Sequence, residues 1–339
     1  MKVKYDGMKV KYVLSIGIAV LLLLASCGVS QRHHVKVGNV EPVSVARFDS
    51  LIYQYINEPD SVQRDMLKSG TGYFWGIYNY RLLGLTDYPD FYDGLRAFVA
   101  DSVVSKIYED TQREYADMSG VEEQLAMMSA RFQQLFPHKE PYVFQGHISA
   151  LGRPVVAMDS LISISLDCYL GADYPLYASR YHEYELAAHA RECLLTDVGE
   201  VMLRNTIETQ YNTLLETMIY EGFVSHLLAG MLDDASVTAV LHYTAEQEAW
   251  CMENEEKIWR TIVEQGDLFT YDRIIINKYI NPAPFTSTLT QDSPSRVGRW
   301  VGWRIVQQYM QRQGLTVEDL AVDTTPYIEV LRLSNYNAR

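Results

Sequence analysis

Residues 214–222 read LLETMIYEG. Their apolar spacing predicts a helix, and two carboxylates, Glu216 and Glu221, interrupt it. Buried carboxylates need partners, because an unpaired charge in apolar surroundings is costly. Two interpretations remain open. In the first, Glu216 and Glu221 are acid-base groups or metal ligands in a cleft that includes Tyr220. In the second, one of them pairs with an arginine and the other lies at a bend near Gly222.

The strand signals lie upstream of this helix. Residues 142–149, 154–158 and 161–166 are strand-like, and turn-like residues 151–153 and 159–160 join them. Residues 161–166 alternate in polarity with a period of two, which is typical of a half-buried strand. The pattern predicts a small antiparallel sheet near residues 142–166.

The rest of the folded part has helical spacing. We expect helices at about 61–83, 90–109, 111–136, 179–193 and 196–230, and further ones at 245–264 and 295–313. The predicted class is therefore α+β and mainly α-helical, with one domain over residues 42–339. In the last of these helices, Gly298 and Gly302 share a face, which predicts a close helix approach beside Trp300 and Trp303.

The N-terminus carries a secretory signal. Lys9 and Lys11 precede an apolar run that ends in Leu-Ala-Ser-Cys at residues 24–27. This sequence resembles the lipobox of bacterial lipoproteins, so residues 1–26 are predicted to be removed and Cys27 to be acylated. The run is shorter than the roughly 20 residues that span a bilayer. Residues 27–41 read as a lipidated tether, and Gly28 after the cysteine favours the outer membrane.

Composition limits the partners. The net charge is −14, which argues against nucleic acid as a partner, since phosphate binding needs clustered Lys and Arg. Acylation of Cys27 would leave Cys168, Cys193 and Cys251, which allow at most one disulfide. Buried free cysteines are the expected outcome.

Known catalytic motifs are missing or broken. The sequence HEYEL begins at His182 like a zinc-peptidase HExxH motif, but Leu186 stands where the second histidine is required, and His189 comes too late. No GxSxG, Walker A or GxGxxG motif occurs in a strand-turn-helix setting. The tyrosine-rich segment 166–177 either caps a core or lines a binding surface.

Several blocks together resemble the gliding motility-associated lipoprotein B (GldB) family of Bacteroidetes: residues 47–49, 164–171, 218–222, 243–247 and 283–303. The resemblance implies a zincin-like scaffold, in which Glu221-Gly222 matches the second motif element. The first element would fall around residues 197–208, which contain no histidine. The resemblance therefore implies a scaffold that has lost its metal centre, with no cofactor.

We accordingly expect a non-catalytic component of an envelope machine, which contacts the membrane through Cys27 and binds envelope protein partners. The first alternative is a zinc-dependent peptidase-like hydrolase that uses Glu216 and Glu221 with ligands such as His226 or His242. The second alternative is a surface lipoprotein that binds glycans or peptides through its aromatic clusters.

Overall fold

A computed structural model of the chain describes residues 34–56, 65, 72, 74–87, 91–207, 211–234 and 236–338. The predicted signal peptide, Cys27 and much of the helix predicted at 61–83 lie outside these residues.

Helices dominate the described part. They are α1 (Phe48–Tyr55), α2 (Phe74–Ile77, continuing as a π-helix Tyr78–Leu82), α3 (Phe91–Ala100), α4 (Ser102–Glu114), α5 (Ser119–Leu135), α6 (Cys193–Thr206), α7 (Leu214–Met231), α8 (Val237–Leu241), α9 (Ala245–Glu253), α10 (Glu255–Glu264), α11 (Arg273–Ile280), α12 (Val297–Gln313), α13 (Val317–Ala321) and α14 (Tyr327–Ser334).

The described strands form one mixed sheet. Its members are β1 (Val45–Arg47), β2 (Val143–His147), β3 (Val155–Met158) and β4 (Leu161–Ser165), in the order β1-β2-β4-β3. β2 is parallel to β1 and to β4, and the β3–β4 pair is antiparallel. The mainly helical α+β class is confirmed, but the prediction of an antiparallel sheet near residues 142–166 is wrong for the parallel β2–β4 pair, and β1 was not predicted.

The physical reason lies in the burial of the two central strands. β2 and β4 each have four consecutive buried residues, which is typical of parallel strands covered on both faces. The alternation predicted that the polar side chains of β4 face solvent. They are buried instead. Ser163 hydrogen-bonds His147 Nδ1 at 2.7 Å, and Ser165 donates to Asp167 at 2.6 Å. These internal partners let an alternating strand be buried completely.

Helix boundaries also differ from the prediction. The stretch 196–230 contains two helices, α6 and α7, and residues 111–136 span the end of α4 and all of α5. The predicted helix at 179–193 is mostly irregular, with short 3₁₀ turns at Tyr177–Ser179 and Glu183–His189. Further 3₁₀ turns lie at Leu166–Cys168 and Asp267–Phe269. In the first two cases apolar spacing continued past a real helix end.

The predicted tether is partly packed. Val35 is 2% exposed, and its backbone N–H donates to the Gly230 carbonyl at 3.1 Å. Gly230 is near the end of α7, the helix in which every residue from Thr217 to Met231 is buried. The chain therefore contacts the main core inside the range that the sequence predicted to be a tether.

The closest helix contact joins α7 to α12. A Cβ on Gly302 would overlap the Met218 carbonyl oxygen, and a Cβ on Gly222 would overlap the Gly302 carbonyl. Trp300 and Trp303 are buried beside this crossing. The predicted close approach is confirmed for Gly302, with Gly222 as the partner glycine on α7.

This contact predicts that Gly302→Ala lowers the free energy of unfolding by at least about 2 kcal/mol, because the added methyl group meets rigid backbone. Urea unfolding followed by circular dichroism measures the change. Gly120→Ala in α5 is the matched control, since a Cβ there meets nothing within 4 Å. Equal stability of the two variants would contradict the proposed tight crossing.

Candidate functional site

Glu221 lies on α7 at the crossing with α12, where it joins a cluster of four charges. Its carboxylate oxygen Oε2 is 2.5 Å from Arg204 Nη2 and 3.1 Å from Arg299 Nε. Glu200 pairs with the same two arginines, at 2.8 Å from Arg204 and 2.9 Å from Arg299. We call Glu200, Arg204, Glu221 and Arg299 the charge cluster.

Three helices build this cluster. Glu200 and Arg204 are one turn apart on α6 and so share a face, Glu221 projects from α7, and Arg299 lies in the first turn of α12. Gly222 and Gly302 bring α7 and α12 close enough for Arg299 to reach Glu221. The cluster therefore depends on the same close packing that organises the core.

The cluster is internally neutral and largely dry. The side chains of Glu221 and Arg299 are 5% and 8% exposed, whereas that of Arg204 is 30% exposed. Burial disfavours the charged form of Glu200, but Arg299 and Arg204 outweigh this effect and hold the pKa of Glu200 below its usual range. Burial likewise disfavours the Arg299 cation, yet Glu200 and Glu221 raise the pKa of Arg299. Glu200 and the two arginines are therefore charged at neutral pH.

Tyr220 covers the exposed side of the cluster. The Arg204 guanidinium lies 5.5 Å from the centre of the Tyr220 ring, and that ring stacks on Tyr211 at 4.6 Å. Burial is the main cause that raises the pKa of Tyr220, to about 12. Tyr220 thus contributes a cation-π contact and a neutral hydroxyl next to Arg204.

Glu216 has a different role from Glu221. It forms a capping box at the start of α7: its carboxylate accepts hydrogen bonds from the backbone N–H groups of Asn212 and Thr213, at 2.8 and 3.0 Å. The Thr213 hydroxyl in turn accepts from Glu216 N–H at 3.3 Å. The interpretation of Glu216 as a cleft residue is replaced by that of a helix cap, which the spacing Thr-x-x-Glu signals in the sequence.

The histidines that the sequence analysis considered as ligands lie in separate environments. His226 Nε2 is 3.0 Å from the Trp303 carbonyl, and its ring stacks on Trp303. His242 pairs with Asp197, and His189 Nδ1 contacts the Cys168 carbonyl at 2.9 Å. Across the described ranges, no three His, Cys, Asp or Glu side chains are arranged to hold a metal ion.

The tyrosine-rich segment caps a core. Tyr169 and Tyr177 are fully buried. The Tyr177 hydroxyl donates to the Asp167 carbonyl and accepts from Leu170 N–H, each at 2.8 Å. Asp167 also accepts from Leu151 N–H at 2.7 Å, so this segment is joined to the turn after β2. These two tyrosines are consequently not part of an exposed binding surface.

Glu200, Arg204 and Arg299 were not predicted from the sequence as members of a site. Arg299 had a signal in the sequence, because it directly precedes the apolar, tryptophan-rich run WVGW in the sequence GRWVGW, where a charge requires a buried partner. Glu200 and Arg204 had the spacing of a helical ion pair, which occurs on many exposed helices. Their meeting with Glu221 depends on the packing of three helices.

We predict that Glu221→Gln lowers the free energy of unfolding by about 3–5 kcal/mol, because it leaves two largely buried guanidinium groups with only the carboxylate of Glu200 between them. Urea unfolding at pH 7 measures this loss. The matched control is Glu256→Gln, which breaks an exposed ion pair with Arg260 and should change stability by less than about 0.5 kcal/mol. A loss of stability in Glu221→Gln as small as that of the control would show that pairing with the arginines gives no net stabilisation.

Acid should weaken the cluster through Glu200. A carboxyl whose native pKa lies below its unfolded value stabilises the fold fully above about pH 4.5, and this contribution is lost as the pH falls. We therefore expect the free energy of unfolding to fall less steeply in Glu200→Gln than in the natural protein between about pH 5 and pH 3. Urea unfolding at several pH values gives both slopes. Parallel slopes would contradict the pKa shift, and Glu256→Gln should keep the natural slope.

The chain as a whole resembles a known protein family. No helix in the described ranges combines the length and apolar character needed to cross a membrane. Neither the curated proteins nor the solved structures gave a match. The family model for gliding motility protein GldB matches residues 30–338. Since this match takes in nearly the whole chain, the protein belongs to the GldB family of gliding-motility-related lipoproteins.

Proposed function

We propose that this protein is a lipid-anchored, non-catalytic component of a cell-envelope machine associated with gliding or secretion. The observation that supports the non-catalytic role is the charge cluster. The cluster lies where α6 and α7 meet. These two helices carry the residues that would correspond to the two motif elements of a zincin-like site. In this proposal, the guanidinium groups of Arg204 and Arg299 take the place of the lost metal ligands.

The chemistry of the cluster favours a structural role. A zinc site needs a helix that presents two ligands four residues apart, with a third from a neighbouring helix. Here the pair on α6 is Glu200 and Arg204, and the third group is Glu221 on α7. Arg204 has no lone pair to give to a metal, and the carboxylate charges are already neutralised by two guanidinium groups. A zincin-like ancestry with replaced ligands accounts for this arrangement.

The anchor is the second part of the proposal. Cys27 lies outside the described residues, the first of which is His34. A fully extended chain from Cys27 to His34 spans at most about 24 Å. Acylation of Cys27 would thus hold the domain close to the membrane surface, and Gly28 favours the outer membrane. Two or more acyl chains give a stable anchor without a membrane-spanning helix.

The rival function is a zinc-dependent peptidase that uses Glu221. It would require ligands to replace Arg204 and Arg299 at Glu221, and Glu216 is occupied as a helix cap. A glycan- or peptide-binding site in the tyrosine-rich segment 166–177 would require exposed aromatic side chains there, whereas Tyr169 and Tyr177 are buried. The non-catalytic role is therefore the function that these contacts support best.

Metal content tests the non-catalytic role. We expect the purified chain from Gly28 onward to contain no stoichiometric zinc by elemental analysis after exposure to zinc and desalting. It should also leave unfolded casein intact. Near-stoichiometric zinc that Glu221→Ala abolishes, with casein cleavage, would overturn the proposal in favour of the peptidase. Circular dichroism of the variant separates loss of metal from loss of fold.

Acylation tests the anchor. Metabolic labelling with an alkyne-tagged palmitate should mark the natural protein and place it in the membrane fraction, whereas Cys27→Ser should lose both properties. Cys193→Ser is the matched control and should remain labelled. Labelling that survives in Cys27→Ser would contradict the assigned anchor residue.

A further inference from the structure

A groove of about 540 Å³ lies between α5 and the start of α6. Its wall on α5 reaches from Gly120 to Arg131, and the lining residues there are three or four positions apart, so they share one helix face. The opposite wall comes from the start of α6, the end of α7 and α8. At 1.5 Å per residue, the α5 wall is about 16 Å long. The groove therefore has the length of about three helical turns.

The groove has an apolar floor and a polar rim. Met128, Leu194 and Met231 line it and are buried, whereas Met127 and Leu195 line it and are partly exposed. The exposed residues of the rim are Gln124, Arg191, Glu192, Asp233 and Asp234. Methionine side chains adapt to apolar surfaces of different shapes, which suits a site that receives the apolar face of a helix.

The arginines that line the groove already have partners. Arg131 donates to the Met231 carbonyl at 2.9 Å and pairs with Asp233 at 2.8 Å. Arg191 pairs with Glu114 at 2.7 Å. Because both guanidinium groups are engaged, neither is left to bind the carboxylate or phosphate of a small acidic ligand.

Two carboxylates of the rim have no cationic partner. Among the residues that the structure describes, neither Glu192 nor Asp234 forms an ion pair, and Asp234 accepts one hydrogen bond, from the Ser236 N–H at 2.9 Å. The whole chain is also acidic, with a net charge of −14. The groove therefore complements a ligand that carries positive charge beside an apolar surface, and it repels an acidic one.

The groove lies near the point where the N-terminal segment joins the core. The Val35 N–H donates to the Gly230 carbonyl at 3.1 Å, and the next residue, Met231, lines the groove. The chain from Cys27 to His34 spans at most about 24 Å. An acylated Cys27 would thus hold the groove near the membrane surface, within reach of segments that flank a membrane protein.

We propose that this groove binds a basic amphipathic helix of a partner protein. Apolar side chains at positions i, i+4 and i+7 of that helix lie on the floor along α5, and Lys or Arg side chains beside them pair with Glu192 and Asp234. This inference rests on the proposed role as a component that binds envelope proteins, and it names the kind of partner segment. A lipid acyl chain, in contrast, would leave both carboxylates without a counter-charge.

The test uses two labelled helical peptides that share leucines at i, i+4 and i+7 and differ in charge: lysines in one, glutamates in the other. Fluorescence anisotropy measures binding to the unacylated mature chain, from Gly28 onward, so that no lipid competes for the peptides. We expect the lysine peptide to bind with a Kd at least about tenfold lower than that of the glutamate peptide. A photo-crosslinker at its middle leucine position should label the groove residues of α5 or α6, as located by peptide mass spectrometry.

Two variants separate the charge contribution from the apolar one. Glu192→Lys should raise the Kd of the lysine peptide by about fivefold or more, whereas Glu256→Lys makes the same change in net charge on α10 and should bind like the natural protein. Met127→Lys should raise that Kd by about tenfold, because it places a charge on the apolar wall. Its matched control is Met252→Lys, at an exposed methionine outside the groove. Circular dichroism verifies that each variant is folded.

Three results would each refute the proposal: no saturable binding of the lysine peptide, equal binding of both peptides, or equal Kd values in the groove variants and their controls. A cross-link outside the groove would do the same. Binding of a fluorescent fatty acid that Met127→Lys abolishes and the lysine peptide does not displace would assign the groove to lipid instead. Zinc content and acylation test the proposed function separately, because neither measurement involves the groove.

Discussion

The backbone contact between α7 and α12 is the constraint on which the rest of the structure depends. Gly222 and Gly302 leave no side chain between the two helices, and a methyl group at either position would meet the other helix. At this separation Arg299 reaches Glu221, and Trp300 is buried against the core. A longer helix separation would break the pair between Arg299 and Glu221, so this buried ion pair requires the small residues at the crossing.

This dependence explains why α7 tolerates a carboxylate. The helix is buried around its whole circumference, which excludes the usual solution of turning a polar face to water. Glu221 is instead neutralised by two arginines from two different helices, α6 and α12. Ion pairs of this kind specify one arrangement of neighbours more than they add to stability, because the desolvation of each charge offsets much of the attraction. The cluster thus fixes which helices meet and in what register.

The sequence allowed the prediction of features that depend on local spacing. The mainly helical class, the close approach at Gly302 and the free cysteines all follow from residues near each other in the chain. The parallel pairing of β2 and β4 was beyond such reasoning, because it depends on layers that cover both faces of the sheet. The charge cluster could be predicted only in part. The apolar setting of Glu221 predicted a charged partner, but its partners are Arg204 and Arg299, which only the fold brings together. Glu216 was misread, although Thr213 three residues earlier carried the signal of a cap.

Val35 connects the N-terminal segment to the most buried helix of the described domain. Its backbone bonds to Gly230, near the end of α7, and its side chain belongs to the main core. A pull on the chain at Val35 would therefore act directly on the end of α7 and on the core around it. The same helix carries Gly222, so the load would pass along α7 to its crossing with α12.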